Sequence, residues 1–418
     1  MGEPNSLSSI VHEQAGKHRW AMLGGVWLLY FCFGLSVASL APLVAPIEAD
    51  LHIDHALMGT ILGAWPVVYI IFSAPCGSLL DRFGARRMLF VSATIIAIAI
   101  ALRGFASSYI ELLLTMVLFG IGGPIISSGA PKVVSLWFKG KDRGLGTGIY
   151  FTGNALGGIT ALSLTNSVFM PYFNNNWREV FFGYAIFIFL SGCCWLLINS
   201  HPVSKNLEKR SIAEKGVKHV KVFLELIKHP IVKIVLAIGI FMLFFGHGMN
   251  QWLPTILLQT GMSIVEAGYW ASIPAVIGLM TAPFINRLAT PERRLQILIA
   301  LFVVAGLATL VIYSQYNPIL VIGLIFLGVC RGAMNGIAVL ILMDNDKEGS
   351  ARVGAAVGLY FSAAEIGGAL GPMTVGVLAK TTGSFQAPLL MMTTVTVLLI
   401  LMALKLKKVM KKSEKFQY

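Results

Sequence analysis

Two strongly charged residues lie near the middle of long apolar runs, where ionisable side chains are rare. Arg331 stands in the segment Gly328-Val-Cys-Arg331-Gly-Ala-Met-Asn335, and Glu365 lies in the next run. A charged side chain at the centre of a bilayer costs about 2.5–3.5 kcal/mol even on lenient scales, so such a residue indicates a function. The planar guanidinium of Arg331 predicts an anion site, to which Asn335 adds a donor one helical turn away. The alternative is a structural ion pair between Arg331 and Glu365 that locks two helices together.

Glu365 and His247 are the candidate proton sites. An anion that competes for Arg331 would release Glu365 to bind a proton, which would couple the two fluxes. Histidine changes charge near neutral pH, and glycines flank His247 on both sides, as in interrupted helices near binding sites. A histidine that only packs against its neighbours is the alternative. Asn250 and Gln251, which follow on the same run, are candidates for substrate hydrogen bonds or for a gate.

Further polar and aromatic side chains are expected at depths that reach a central cavity. For each aromatic residue, packing between helices is the alternative to contact with a ligand. The candidates are Tyr30, Trp65, Tyr69, Tyr150, Asn154 and Tyr360.

The composition of the chain predicts that these residues lie in a membrane. Of 418 residues, 56% are hydrophobic and 12% are charged, and the mean hydropathy is +0.78. Soluble domains carry roughly 25% charged residues. The net charge of +13 does not indicate nucleic-acid binding, because the basic residues lie between apolar runs, where they set membrane orientation. The five cysteines form no Cys-x-x-Cys pair, which argues against a zinc site or a disulfide framework.

Twelve apolar runs are long enough to cross a bilayer as helices, since a span needs roughly 20 residues. The runs cover approximately 20–46, 57–80, 86–106, 110–137, 144–170, 178–199, 229–257, 263–286, 294–314, 318–343, 353–379 and 385–405. Neither a phosphate-binding glycine loop nor a nucleophile elbow occurs, so we expect no cofactor, no ATP-driven step and no enzyme.

A polar, basic segment divides the runs into six and six. The predicted organisation is a tail at 1–19, a six-helix bundle at 20–199, a linker at 200–228, a second bundle at 229–405 and a tail at 406–418. The basic residues gather in the even-numbered links and the C-terminal tail. The protein is therefore predicted to lie in the cell membrane with both termini on the cytoplasmic side.

The two predicted bundles share a repeated segment. Gly148-Ile-Tyr-Phe-Thr-Gly-Asn-Ala-Leu-Gly-Gly158 in the fifth run recurs as Gly358-Leu-Tyr-Phe-Ser-Ala-Ala-Glu-Ile-Gly-Gly368 in the eleventh, and Tyr360 is thereby the partner of Tyr150. An offset of about half the chain is typical of internal repeats in transporters. Chance similarity between glycine-rich membrane helices is the alternative.

The link between the second and third runs reads Gly77-Ser-Leu-Leu-Asp81-Arg82-Phe-Gly84-Ala-Arg86-Arg87. It resembles the signature loop of the major facilitator superfamily. The resemblance implies an all-α membrane fold with twelve helices in two pseudo-symmetric bundles, which works as a monomer by alternating access. It further implies that the named residues of this loop form a cytoplasmic gate, in which Asp81 meets the start of the eleventh helix.

A narrower resemblance rests on Pro131-Lys132-Val-Val-Ser135-Leu-Trp137-Phe138 and on Asn176-Trp177-Arg178. These segments are similar to the branch that holds cyanate, nitroimidazole, nitrate/nitrite and organic-anion porters. Drug antiporters of the superfamily usually carry an Arg where this chain has Met116.

Together these features predict a secondary active transporter that moves a small organic or inorganic anion, with protons as the coupling ion in symport. An exporter of drug-like or amphipathic compounds is the alternative. A membrane sensor is disfavoured because the segment after residue 405 is short.

Overall fold

The computed structural model describes residues 5–138, 141–204, 227, 229–313, 317–344 and 350–415. These residues form helices and no strand, and twelve of the helices have 20 residues or more. The long helices are α1 (Asn5–Ala38), α2 (His55–Phe83), α3 (Ala85–Phe105), α4 (Tyr109–Trp137), α5 (Lys141–Leu164), α6 (Trp177–Ile198), α7 (Pro230–Leu258), α8 (Ile264–Leu288), α9 (Arg294–Tyr313), α10 (Asn317–Asp344), α11 (Ser350–Thr382) and α12 (Gln386–Lys415). The predicted all-α fold is confirmed.

Eleven helices among the described residues are long and apolar enough to cross a membrane. The remaining long helix, α5, begins with three charged residues and contains six glycines, which lower its mean hydropathy. Helix α5 nevertheless corresponds to the fifth predicted run.

Several helix bounds differ from those of the predicted spans. Helix α1 already begins at Asn5, inside the predicted tail, and α12 continues to Lys415. Polar residues such as Lys and Glu are good helix formers, so the end of an apolar run does not end a helix. At its other end α1 stops at Ala38, earlier than expected, and a 3-10 turn with Pro42 follows. Proline has no backbone N–H with which to continue the helix.

The described helices form two compact units. The first comprises Met1–Ser39, Ile71–Ala161 and Tyr172–Gly216, as far as these ranges are described. The second comprises Leu40–Ile70, Leu162–Pro171 and the described part of Val217–Tyr418. The two units therefore do not consist of the same segments of the chain as the two predicted bundles. The predicted linker at 200–228 lies mostly outside the described residues, and this boundary stays a prediction.

In the first unit, α5 packs on α1 by direct backbone contact. A Cβ atom on Gly157 would overlap the carbonyl oxygen of Phe31, and one on Gly34 would overlap that of Asn154. Because only glycine permits this approach, Gly153 and Gly157 of the predicted repeat form the contact surface of α5.

In the second unit, α11 packs on α7 in the same way. A Cβ atom on Gly367 would overlap the carbonyl oxygen of Ile240, and one on Gly371 would overlap that of Phe244. Gly367 is the repeat partner of Gly157, so the repeated segment makes the same kind of contact in each unit.

The first half of α2 also belongs to the second unit, where it packs against α11. Cβ atoms on Gly63 and Gly376 would overlap the carbonyl oxygens of Ala369 and His55, respectively. Near this contact the indole Nε1 of Trp252 donates a hydrogen bond of 3.0 Å to the carbonyl oxygen of Pro372. The helices α2, α7 and α11 are therefore closely packed at this end of the unit.

Replacement of Gly367 by alanine tests the α7–α11 contact. We expect Gly367→Ala to lower the stability by about 1–3 kcal/mol or more, because a backbone carbonyl cannot yield as a side chain does. Gly358→Ala is the matched control, since a Cβ atom there meets nothing within 4 Å. Alanine is the better helix former, so the control should unfold at the same temperature as wild type or higher. Thermal unfolding in detergent measures both, and equal melting temperatures would contradict the contact.

Candidate substrate and proton site

A small pocket in the second unit lies between α7 and α10. It brings together Arg331, Asn335 and Asn250, three of the residues predicted to bind substrate. Apart from these polar residues and Gly246, the lining is apolar and consists of Met242, Phe245, Met249, Leu253, Leu327 and Met334. The pocket therefore combines one cationic side chain with two amides in an apolar surrounding.

Arg331 faces this pocket as a half-buried cation. No ion pair of the described residues joins Arg331 to a carboxylate, and the predicted structural pair with Glu365 is not formed. A buried charge is costly unless a counter-charge compensates it. The arrangement leaves the guanidinium fork available to an anionic ligand.

Asn335 is oriented by a tyrosine of the neighbouring helix α11. The hydroxyl of Tyr360 donates a hydrogen bond of 3.0 Å to Oδ1 of Asn335. Tyr360 is fully buried and packs on Gly239 of α7. Because the amide oxygen accepts from Tyr360, the amide N–H groups of Asn335 are the donors on offer to a ligand. Tyr360 is thus a positioning residue and does not line the pocket.

The two predicted proton sites face each other. Nδ1 of His247 lies 3.9 Å from Oε2 of Glu365, which is beyond hydrogen-bond distance. Both atoms are buried, and neither has a hydrogen-bond partner among the described residues. Gly368 makes this meeting possible, since a Cβ there would lie 2.5 Å from Oε2 of Glu365 and 2.8 Å from Nδ1 of His247. Buried polar atoms are rarely left unpaired, and the assignment of this pair as a proton site stays a prediction.

Helix α2 contributes an aromatic lid to this pair. The indole ring of Trp65 stacks on the imidazole of His247, with centroids 5.5 Å apart and an interplanar angle of 26°. Tyr69, one turn further along α2, meets Trp65 edge-on at 5.9 Å. On the side of α10, Arg331 lines the same pocket as Gly246, the residue that precedes His247. His247 therefore contacts Trp65 of α2, faces Glu365 of α11 and lies next to the pocket that Arg331 of α10 lines.

The remaining predicted substrate residues are packed elsewhere. In the first unit, Tyr30 meets Tyr150 edge-on at 4.8 Å, and Tyr150 stacks on Phe151 at 4.7 Å. Asn154 presents its backbone carbonyl to Gly34. Gln251 is buried in the second unit beside Asn250, but it does not line the pocket. For Tyr30 and Tyr150 the geometry matches the packing alternative.

The signature loop joins α2 to α3 in the first unit. Asp81 pairs with Lys132 of α4 at 2.6 Å, and Lys132 also donates to the carbonyl oxygen of Leu80 at 3.0 Å. Gly84 has φ +82°, a conformation that favours glycine and directs the chain into α3. The predicted contact of Asp81 with the start of α11 concerns side chains outside the described residues, and it stays a prediction.

The other members of the predicted gate are held less closely. The guanidinium of Arg82 lies 5.2 Å from the ring of Phe83, and the carbonyl oxygen of Arg86 accepts a hydrogen bond from Trp195. Arg87 is exposed, and a Cβ on Gly77 would meet nothing within 4 Å.

Arg103 in α3 is a buried charge that the sequence pattern did not indicate. Its Nη1 donates to the carbonyl oxygen of Ser36 at 3.3 Å and to Oγ of Ser39 at 2.9 Å. The guanidinium also lies over the rings of Phe119 and Phe181. Arg103 thus binds the carboxyl end of α1, where a cation is favourable. It lies close to the end of a predicted run, so its burial had no signal in the sequence.

Comparisons with known proteins identify the family. The model described as Major Facilitator Superfamily matches residues 26–351 and 292–417. The chain therefore belongs to the Major Facilitator Superfamily, and it is a multi-pass membrane transporter rather than an enzyme.

Among similar proteins is the "Probable galactarate/D-glucarate transporter GudP" of Escherichia coli K12, at 25% identity over 93% of both chains. The "Hexuronate transporter" of Bacillus subtilis 168 is 24% identical over 82% of this chain and 84% of the relative. Among solved structures, the nucleoside transporter NupG is similar with a TM-score of 0.76 at 16% identity, over 92% of this chain and 99% of the other. These structural likenesses concern the fold.

An ion pair joins α11 to the segment before α2, at the end of the second unit where α2, α7 and α11 are closely packed. Asp54 and Lys380 approach to 2.7 Å. The pKa of Asp54 is lowered. The largest cause is the hydrogen bond from Lys380, and the second is the hydrogen bond from the backbone N–H of Leu57. Because the folded-state pKa is lowered, the stabilisation is complete above the ordinary pKa of Asp and is lost as the pH falls through the lowered value.

We expect Asp54→Asn to increase hydrogen–deuterium exchange in peptides covering 55–63 and 369–376 at neutral pH, because the variant lacks this charge. The double variant Asp54→Lys/Lys380→Asp should restore protection, since it reverses the pair. Unchanged exchange in Asp54→Asn, or no recovery of protection in the double variant, would show that the ion pair does not stabilise the packing of α2 against α11.

Proposed function

We propose that this protein is a secondary active transporter of a small organic anion, which binds at Arg331 and crosses the membrane together with protons. The observation that carries the proposal is the guanidinium of Arg331, which lines a pocket and pairs with no carboxylate of the described residues. The similar proteins from E. coli and B. subtilis are named for galactarate, D-glucarate and hexuronate, and all three are carboxylates.

In the proposed binding mode, the fork of Arg331 holds a carboxylate through two parallel N–H···O bonds. Asn335, oriented by Tyr360, donates a further hydrogen bond to the same group. Asn250 approaches from α7, on the opposite wall of the pocket. The anion thereby links α7 to α10 and compensates the buried charge of Arg331.

Proton coupling follows from the neighbourhood of Arg331. The guanidinium of Arg331 lines the pocket together with Gly246, which precedes His247 in the chain, so a protonated His247 would add a second positive charge beside the empty site. A bound anion neutralises the charge of Arg331, so a proton on the His247–Glu365 pair becomes less costly. By linkage, the proton then favours anion binding to the same extent. The two species therefore bind together, as symport requires.

Trp65 connects His247 to the first half of α2, which we assign to the outer gate. It stacks on His247 from α2, and the same half of α2 packs against α11 at the end of the second unit where α2, α7 and α11 are closely packed. With basic links facing the cytoplasm, as the charge pattern favours, this end lies on the outer side of a cell membrane. Protonation of His247 would then bias the outer gate, while Asp81 and Lys132 belong to the cytoplasmic gate.

Efflux of amphipathic compounds is the second candidate, because six apolar side chains line the pocket. The two candidates differ in the role of Arg331. A neutral or cationic amphipath gains nothing from a guanidinium, whereas an anion depends on it.

Transport by Arg331→Ala in proteoliposomes tests the proposal. We expect an inward proton gradient to stimulate uptake of radiolabelled carboxylates by wild type. Loss of a hydrogen bond to a charged group costs about 1.5–3 kcal/mol, so the variant should lose roughly 10–100-fold in apparent affinity.

Arg331→Lys, which keeps the charge without the fork, should fall between wild type and Arg331→Ala. The matched control is Arg293→Ala, because Arg293 is an exposed residue between α8 and α9. Anion uptake by Arg331→Ala equal to that of the control would contradict the proposed site.

A further inference from the structure

We propose that the anion bound at Arg331 is a monocarboxylate with an apolar body, and not a polyhydroxylated sugar acid. This inference rests on the proposed function and names the substrate class of the same site. It departs from the similar proteins named for sugar acids, and the chemistry of the pocket lining is the reason.

The apolar side chains surround the guanidinium on its own helix. Leu327 and Met334 lie about one turn before and after Arg331 on α10, and both line the pocket. On α7, Phe245 and Met249 face the same space. The part of a ligand that lies in this pocket beside Arg331 therefore contacts mainly apolar atoms. Burial of apolar surface is favourable by about 25 cal/mol per Å², and this gain is available to a hydrocarbon body but not to a polyol.

The supply of polar partners is too small for a sugar acid. Arg331 is the one cationic residue of the pocket lining, and it is matched by one carboxylate. The amide oxygen of Asn335 is already engaged by Tyr360, so only Asn250 has a full amide to offer. A hexarate would bring a second carboxylate and several hydroxyl groups into this pocket. Each buried hydroxyl without a partner costs about 1–3 kcal/mol, and a second unpaired carboxylate costs more.

The sulfur-containing side chains suggest tolerance among related acids. Three of the six apolar lining residues are methionines. Methionine is unbranched and adapts its shape to irregular partners. We therefore expect the pocket to accept straight, branched and aromatic bodies of similar size, while the requirement for one carboxylate stays strict.

Hexanoate and D-gluconate form a matched pair of probes, because both are six-carbon monocarboxylates that differ in their hydroxyl groups. Equilibrium binding to the purified full-length chain, measured by calorimetry and by ligand-dependent melting temperature, should favour hexanoate by at least tenfold. Hexanamide has the same body without the charge and controls for partition into detergent. It should bind at least tenfold more weakly than hexanoate.

Two variants connect this preference to the pocket. Met334→Gln and Met249→Gln each replace an apolar side chain by a polar one of similar length. Each should weaken hexanoate binding and lower the ratio of the affinity for hexanoate to the affinity for D-gluconate. Two sites on different helices are used so that misfolding of one variant, detected by size-exclusion chromatography, leaves the other as a test.

The outcomes separate this inference from the proposed function. Tighter binding of D-gluconate or D-glucarate than of hexanoate, with loss in Arg331→Ala, would overturn the substrate class and leave the anion site standing. Binding of hexanamide as tight as that of hexanoate, or hexanoate binding that survives Arg331→Ala, would overturn both proposals. Preference for hexanoate that is lost in Arg331→Ala supports both.

Discussion

The close backbone contact between α7 and α11 is the constraint on which the candidate site depends. Gly367 and Gly371 carry no side chain toward α7, so the carbonyl oxygens of Ile240 and Phe244 approach the backbone of α11 directly. This approach brings Glu365 against His247, and Gly368 leaves the space in which their polar atoms face each other. A larger residue at any of these positions would separate the two helices and, with them, the two titratable groups.

The half-buried charge of Arg331 decides the chemistry that this scaffold supports. A cation in the membrane interior needs a compensating charge, and within the described residues no carboxylate supplies one. The uncompensated charge of the empty site is unfavourable, and an anion that binds there removes this cost. The free energy gained contributes to the affinity for the anion. Because Glu365 faces His247, and His247 follows a residue that lines the pocket of Arg331, the proposed mechanism links occupancy by an anion to occupancy by a proton. The apolar surroundings, which make the charge costly, also select the body of the ligand.

The sequence was sufficient for the local features and not for the contacts between distant elements. That Arg331 and Asn335 share one face of a helix was predictable because they are one helical turn apart. Their meeting with Asn250 in one pocket depends on how α7 packs against α10. The glycine repeat predicted two related bundles, and the structure adds that the repeated segment makes the same kind of helix contact in each unit. Trp65 could be predicted at cavity depth but not against His247, since that contact depends on how α2 packs against another half of the chain. Lys132 as the partner of Asp81, and Arg103 beneath the end of α1, depend on tertiary packing in the same way.

Proton uptake upon anion binding tests the central claim most directly. A pH indicator in weakly buffered detergent solution would record protons taken up when a saturating carboxylate is added to the purified protein. The account predicts proton uptake by wild type, with a stoichiometry of about one or less per anion bound, and its loss in Glu365→Gln while anion binding persists. Anion binding without proton uptake by wild type, or undiminished uptake by Glu365→Gln, would contradict the account.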